Sequence, residues 1–495
     1  SDASDIRMLF TSDQTGNTSS DGSFIGLTDG GVFNIFNREA TAIKMFTSGI
    51  QRFTISADGG VSTQTAGTSN TRLGSNAGDS IASGGNYNVC IGDEAGTAIT
   101  TADSNVAVGY QALATEDTLS ESVAVGYRAL NHQNADDSNG GKNVAVGFTA
   151  GEAITSGNRN TFVGNRAGVD VDTADGNVAV GGDALFTNTG GESNTAIGFE
   201  ALRTADANSG FIANTAVGVQ AGKAITDGVS NTLIGGQAGL SLASVNYNTA
   251  VGTFALDACS HGSQTTAIGY AALSNQDYGT TTTNTANTAL GYTAGLYNTS
   301  GAGNTFLGAE TGAGGTTATR LTTGIRNTII GAFALMDSAS ANNGNVIGNG
   351  VTGAGGFTTL GQSTDDIRAE NGVATWNTVS DERFKKDIVD STAGLSFIKA
   401  LKPRTFKYKT RGELPETFNA YKADSTDVFK NTNTNHGFIA QEVKAAIDAE
   451  SGLKDGFKLW GERADGSQEI GEAALIPMLV KAIQELEARI AVLEG

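Results

Sequence analysis

The chain has 495 residues, with 68 glycines, 3 prolines, and 31 Lys and Arg against 51 Asp and Glu, for a net charge of −20. So acidic a chain repels phosphate backbones, and its scattered cations and sparse aromatic residues build no stacking groove, so nucleic acid is excluded as a partner. No run of apolar residues is long enough to insert into a membrane, and 2 cysteines with 3 separated histidines make neither a disulfide framework nor a zinc site, so neither metal nor cofactor is expected.

The first residues, Ser1 to Phe10, carry neither a basic n-region nor an apolar h-region, so no signal peptide is read there. The chain also lacks an initiator Met and is expected to be processed or part of something longer. Residues 1–66 show short alternating stretches, Val32–Phe36, Ala42–Phe46 and Arg52–Ser56, separated by turn signals at Asp29-Gly30-Gly31 and Asp58-Gly59-Gly60. This predicts a small strand meander. It is apolar for its length, so intertwining with sister chains is expected.

Residues 67–350 are governed by one glycine that closes a short motif of the form Asn-Thr/Val-Ala-Val/Ile-Gly and recurs fifteen times between Gly74 and Gly331. Nine of the fourteen intervals are 17 residues. A short fixed period means stacked supersecondary units rather than a globular enzyme core. In Asn105-Val106-Ala107-Val108-Gly109 the β-branched residues alternate as in a strand. Both faces of that strand are apolar, which predicts one face inside a solenoid and the other against neighbouring chains, with the small Ala face permitting their close approach. The glycine is expected to supply a positive φ where the chain turns, and the asparagines to form rung-to-rung ladders. Cys90 takes a position usually held by Ala and reads as a small buried filler.

A second order lies over the first. Four residues after each motif glycine comes Gly or Leu, two and two, from Gly78, Gly96, Leu113, Leu130 onward, repeating every 71 to 73 residues. Sequence alone supplies no physical reason for this, beyond the expectation that four modules make one block. Longer intervals at 131–142, 203–213 and 274–286 are expected to bulge as surface loops.

The repeats resemble the Asn-x-x-Val/Ile-Gly coils of trimeric autotransporter adhesin heads, and still more the repeats of phage tail fibres; residues 1–66 look like a phage-fibre module. The resemblance implies a left-handed parallel β-roll in a homotrimer. The fold class expected is therefore mainly β: an elongated homotrimeric β-roll or solenoid-like fibre, with a C-terminal α+β domain ending in a coiled-coil helix.

Residues 351–379 are read as a neck or linker. All three prolines, Pro403, Pro415 and Pro477, fall after residue 380, and the charge changes with them: −18 over residues 1–379 and −2 over 380–495. Three signatures follow: Ser380-Asp381-Glu382-Arg383-Phe384-Lys385, then Leu401-Lys402-Pro403-Arg404-Thr405-Phe406, then Gly437-Phe438-Ile439-Ala440-Gln441-Glu442-Val443. A serine hydroxyl needs a base, and a desolvated lysine could serve as one. Ser-Asp before a helical run is also a common N-cap, with Lys385 then a solvated residue; spacing leaves both open. Together the signatures resemble the intramolecular chaperone auto-processing domain at the C-terminus of phage tailspikes, endosialidases and long tail fibres. That resemblance implies that residues 380–495 trimerise the fibre and are then cut off beside Ser380 by a Ser380/Lys385 dyad, with Asp381 and Arg383 orienting the turn.

The last helix carries Ile476, Leu479, Ile483, Leu486, Ile490 and Leu493 at alternating spacings of three and four, an a/d seam. Ile at a with Leu at d ordinarily favours two strands, so the rod and the resemblance are expected to set three. An amphipathic helix packed on its own domain is the other reading. Trp376 is expected to anchor the core or neck, Trp460 is a candidate for sugar stacking, and His436 reads as structural.

The function expected is that of a phage tail fibre, a virion protein that binds a host cell-surface receptor (carbohydrate or outer-membrane component) and joins virion tail or baseplate proteins. Its enzymatic chemistry is limited to one self-cleavage. The alternative is a tailspike depolymerase that cleaves host surface polysaccharide, which needs two carboxylates across a groove. A bacterial adhesin or ice-binding solenoid is the third reading.

Overall fold

The computed structural model describes residues 6–10, 23–27, 32–37, 41–57, 61–63, 66–134, 141–205, 210–279, 283–373, 375–378, 380–453 and 457–494. The chain forms two compact units, Ser1–Val379 and Ser380–Gly495.

The N-terminal stretch forms two antiparallel three-stranded sheets, Ile6–Phe10 with Ser23–Leu27 and Phe33–Asn37, and Ile43–Thr47 with Ile50–Ile55 and Val61–Ser62. The turn signals at Asp29–Gly31 and Asp58–Gly60 lie outside the described residues. Phe33, Phe36 and Phe46 stay exposed.

From Thr71 the chain winds into a β-solenoid. Each turn contributes one short strand that pairs in parallel with its counterparts on either side, as Val106–Val108 does with Val89–Ile91 and Val123–Val125. The parallel ladder runs from Thr71–Leu73 to Phe357–Gln362. At roughly 4.8 Å per rung it rises about 75 Å. Among the described residues the pairings close no ring: Thr71–Leu73 pairs only with Val89–Ile91, and the far end is finished by an antiparallel hairpin, Asp365–Glu370 on Phe357–Gln362, with Asn377–Thr378 beside it. The stretch expected to be a neck or linker at 351–379 is thus partly ladder. The motif continues through Asn345–Ile347 and Gly348, and the next coil shortens before the hairpin.

Strand alternation places the middle residue inward and its two neighbours outward. Ala107, Ala124, Ala179, Ala196 and Ala250 have no exposed surface, whereas Val146, Val163, Ile197, Ile234, Leu290 and Leu307 are exposed. The expectation that Ala forms an inter-chain face is corrected here. Ala fills the interior of its own coil, and the outer face carries Val or Thr on one side and Val, Ile or Leu on the other. The coil is too narrow for a larger residue on most rungs.

The motif glycine answers to two constraints. At Gly109 φ is +133°, and a Cβ there would lie 2.4 Å from the Gly126 carbonyl oxygen in the next coil. Positive φ was legible in sequence; the stacking of glycine on glycine was not. The asparagines form a buried ladder. Asn105 donates its backbone N–H to Asn88 Oδ1 (2.9 Å), its Oδ1 accepts the Ser122 N–H (2.8 Å), and its Nδ2 donates to the Leu119 carbonyl (2.9 Å). The same bond links Asn143, Asn160, Asn177, Asn194, Asn214, Asn231 and Asn248 in turn. Each amide satisfies backbone groups that the corner of the coil would otherwise leave orphaned.

The two-and-two order of Gly and Leu is a packing rule. The fourteen positions from Gly78 to Gly312 have positive φ, among them Gly151 +58°, Gly168 +59°, Leu185 +53° and Leu202 +47°, whereas Leu335 lies in a short extra strand, Leu335–Met336. Where the pair is Gly, the inward strand residue beside it is larger than Ala. Cys90 sits at Gly78 and Gly96, Phe162 at Gly151 and Gly168, Leu233 at Gly222 and Gly239, and Phe306 at Gly295 and Gly312; a Cβ on any of these glycines would lie within 3.1 Å of that side chain. Where the pair is Leu, the strand residue is Ala and leucine fills the space from the opposite wall. One volume is filled from alternate sides, as dense packing requires. Of the three long intervals, residues 135–140, 206–209 and 280–282 lie outside the described residues. The described flanks add short extra rungs, Gly191–Glu192 with Gly210–Phe211 and Gly262–Ser263 with Thr283–Asn284.

Three residues after each such glycine comes a buried aliphatic side chain, Ile81, Ile99, Ile154, Val171, Ile225 or Leu242, until Asn298. Asn298 is fully buried and neither atom of its amide has a hydrogen-bond partner among the described residues. Replacing it with the isoleucine of the equivalent positions removes a desolvated amide. Asn298→Ile is therefore expected to stabilise the rod by about 1–3 kcal/mol, read as a higher unfolding midpoint in denaturant; an unchanged or lower midpoint would contradict it.

The second unit is α+β. Helix α1 (Leu395–Ala400), helix α2 (Ala440–Ala449) and helix α3 (Ile476–Glu494) accompany two hairpin pairs, Arg404–Phe406 with Asn435–Gly437 and Trp460–Glu462 with Gln468–Ile470. Ala393, Phe397, Val443, Ile447, Leu459 and Met478 form its core. α3 packs on this core through Met478 and Ala482, and Glu485 Oε2 accepts the Leu395 N–H at the start of α1 (2.9 Å). The a/d seam, Ile476 through Leu493, is exposed throughout. The helix therefore does pack on its own domain, by a face other than its seam.

Candidate functional site

Ser380 opens the second unit. Asp381 follows as N-cap of a 3₁₀ turn, Glu382–Phe384. Its Oδ1 accepts the Arg383 N–H (2.8 Å), and the Arg383 guanidinium grips the same carboxylate, Nε to Oδ1 at 3.0 Å and Nη2 to Oδ2 at 2.6 Å. That grip, first of all the side-chain hydrogen bond, holds the Asp381 carboxyl below the usual carboxylate range. The turn closes when the Lys385 N–H donates to the Glu382 carbonyl (2.9 Å). The cap is thus Asp381, not Ser380, which leaves the serine hydroxyl free for another partner.

That partner is Lys385. Its Nζ donates to Ser380 Oγ at 2.7 Å across five residues, and both side chains are exposed in the single chain. In the reverse polarity, with the amine neutral, the same contact is the one through which a base takes the hydroxyl proton. Desolvation of Lys385 is what that polarity requires. Phe384 (80% exposed), Ile388 and Val389 (84%) flank the lysine with apolar surface. Sequence reading missed them; the signal was an apolar residue on each side of Lys385-Lys386-Asp387 in a polar stretch.

The other two signatures meet each other. Arg404–Phe406 pairs antiparallel with Asn435–Gly437, and Arg404 forms an ion pair with Glu442 on α2 (Nη2 to Oε1, 2.6 Å). His436 lies exposed on that hairpin, at a shallow depression with Pro403, Arg404, Phe438 and Glu472. Trp460 is half-buried, donating Nε1–H to Gln468 Oε1 (3.2 Å), with the Lys444 ammonium over its ring. Trp376 is half-exposed in the single chain, so of the core or neck anchor expected, the core half does not hold.

On the rod, the residue after the motif glycine builds an aromatic row that sequence reading also passed over. Tyr110, Tyr127 and Phe148 stack with ring centroids 5.4 and 5.1 Å apart, and Tyr270 stacks on Tyr292 at 5.5 Å. Among the described residues no group of three or more His, Cys, Asp or Glu is arranged to hold a metal ion, and no helix is long and apolar enough to cross a membrane.

Residues 380–452 match the family described as the chaperone of endosialidase, Peptidase_S74. No curated protein and no solved structure matches the chain. A segment of that family behind a β-solenoid fits a tail-fibre-like or tailspike-like protein, with an intramolecular chaperone at its C-terminus.

Proposed function

We propose that the chain is the subunit of a homotrimeric phage tail fibre that binds a host cell-surface receptor, carbohydrate or outer-membrane component, and joins the tail or baseplate of the virion. Its C-terminal domain acts as a folding helper that cuts itself off at Ser380. The observation that carries this reading is the 2.7 Å contact between Lys385 Nζ and Ser380 Oγ, at the first residue of the segment that matches the endosialidase chaperone.

Two uncovered apolar surfaces support the trimer: the outer Val/Ile/Leu row of the rod and the a/d seam of α3. Contiguous exposed apolar surface of this extent marks an interface. A second and third copy of the same row and seam are its natural complement, since a seam of Ile and Leu buries itself in knobs-into-holes contacts. Assembly also supplies what the dyad lacks in one chain. Covering Phe384, Ile388 and Val389 desolvates Lys385, which disfavours its ammonium form. Ser380 Oγ then attacks the peptide carbonyl beside it, the hydroxyl proton passing to Nζ. Collapse of the tetrahedral intermediate expels the amine, which takes that proton, and water hydrolyses the ester. Cleavage thus waits on assembly.

The test is expression of the wild type beside Ser380→Ala and Lys385→Met. The wild type is expected to yield a fragment ending near residue 379 and a released domain of about 116 residues; both variants are expected to stay full-length and to show three chain masses by light scattering. Full-length wild type with the same trimeric mass would overturn the cleavage, and a monomeric mass for folded Ser380→Ala would overturn the trimer.

A further inference from the structure

Glu116 is fully buried in the rod. It lies three residues after Leu113, at the coil position held by Ile99 in the coil before and by Gln133 in the coil after. In the next two blocks the equivalent residues are Asn188 and Cys259, both buried and both neutral; burial pushes the Cys259 thiol up to about 11. Only this block places an acid there.

Every partner of the carboxylate is a donor. Oε1 accepts the N–H groups of Thr118 (3.0 Å) and Leu119, and Oε2 accepts from Gln133 Nε2 (2.9 Å). Gln133 Nε2 also donates to Ser122 Oγ (3.0 Å), and its Oε1 accepts from Asn143 Nδ2 (2.8 Å), which donates as well to the Gly157 carbonyl (2.8 Å). Ser122 and Gln133 thus stand in for the missing asparagine of the ladder. No ion pair reaches Glu116 among the described residues. Ile99, Gln133 and Ser122 around it carry no charge, and Asp117 beside it opposes ionisation. Desolvation, outweighing the hydrogen bonds, pushes the carboxyl up to about 7.

We propose that Glu116 and Gln133 form a proton switch inside the rod. When Glu116 takes a proton from solvent, the Gln133 amide turns so that its Oε1 accepts the new O–H. The Ser122 hydroxyl reverses to donate to the same oxygen. Asn143 gives up Gln133 and keeps the Gly157 carbonyl, so the change reaches the buried asparagine ladder one coil on. Nothing in the cleavage chemistry uses this group, and the inference stands apart from that proposal.

The sign follows from proton counting. The unfolded chain releases this proton in the ordinary carboxyl range near 4.5, the folded rod near 7. Between these values the folded state binds more protons, so stability contributed by this group falls as pH rises from about 5 to about 7.5 and is level above that.

The test uses the full-length chain with Glu116→Gln, and Glu116→Asn as the side chain already accepted at Asn188. Unfolding midpoints are taken from pH 5.5 to 8.5, with infrared difference spectra between pH 6 and pH 8. The wild-type midpoint is expected to fall across this range relative to both variants, and a buried carboxylic C=O band to be lost on raising the pH of the wild type alone. Parallel midpoint profiles, or a wild-type spectrum without that band, would overturn the proposal. If neither variant folds, the wild-type spectrum alone decides it.

Discussion

Phe162→Ala is expected to destabilise the rod by about 3–5 kcal/mol, the usual cost of deleting a fully buried aromatic ring. The ring has no exposed surface and stands over two glycines of the opposite wall: a Cβ on Gly151 would lie 2.9 Å from Phe162 Cδ2, and one on Gly168 would lie 2.6 Å from Cε1. Neither wall can collapse into the cavity, because each coil is held in register by its strand pairs and its asparagine. The packing rule makes a sharper forecast. Gly168→Leu alone should destabilise, since the new side chain meets the ring. In the Phe162→Ala background it should instead restore part of the loss, since the same left-handed backbone carries Leu185 in the next coil (φ +53°). A substitution that changes sign with its partner measures a coupling energy directly. Denaturant unfolding of the four proteins checks it; additive effects would mean that Gly and Leu do not share one volume with the strand residue.

The architecture was legible where one residue answers to one local constraint. A glycine every 17 residues announces a turn that only glycine completes, and both its spacing and its positive φ are seen. The asparagine ladder was legible for the same reason. What escaped depends on contacts between residues of different coils. Ala107 could face inward or outward on pattern alone, because both faces of its strand are apolar; only the width of the coil decides. The Gly/Leu alternation was visible as a pattern, but its cause lies in Phe162, Leu233 and Phe306, each of which sits before its own coil's glycine and serves the glycine of the coil before it as well. Phe357–Gln362 escaped because the motif ends at Gly348 while the ladder continues. At the candidate site the pairing of Ser380 with Lys385 was expected from the resemblance, and the N-cap alternative was moved by one residue, to Asp381. The exposed Phe384 and Val389 escaped because exposure is a property of the folded chain.

Gly126→Ala is expected to cost on the order of 4 kcal/mol or more, beyond the range of ordinary single substitutions. Two penalties combine there. Gly126 has φ +141°, a region essentially closed to other residues, worth about 1–3 kcal/mol. A Cβ on it would also lie 2.1 Å from the Gly147 carbonyl oxygen, a backbone atom with no flexible end to swing aside. Relief requires parting two coils, and that stretches the rung bonds at the same corner, Gly126 N–H to the Val108 carbonyl and Thr149 N–H to the Tyr127 carbonyl, each 2.8 Å. Gly176→Asn is the control that carries neither penalty. Gly176 also has positive φ (+67°), but a Cβ there meets nothing nearer than Ser193 Oγ at 3.8 Å, and the equivalent positions in neighbouring coils are Arg159 and Ser193, in the same left-handed conformation. That variant is expected to unfold within about 0.5 kcal/mol of the wild type. Equal midpoints for both variants would show that Gly126→Ala meets neither penalty, and that the carbonyl of the next coil yields to a methyl group.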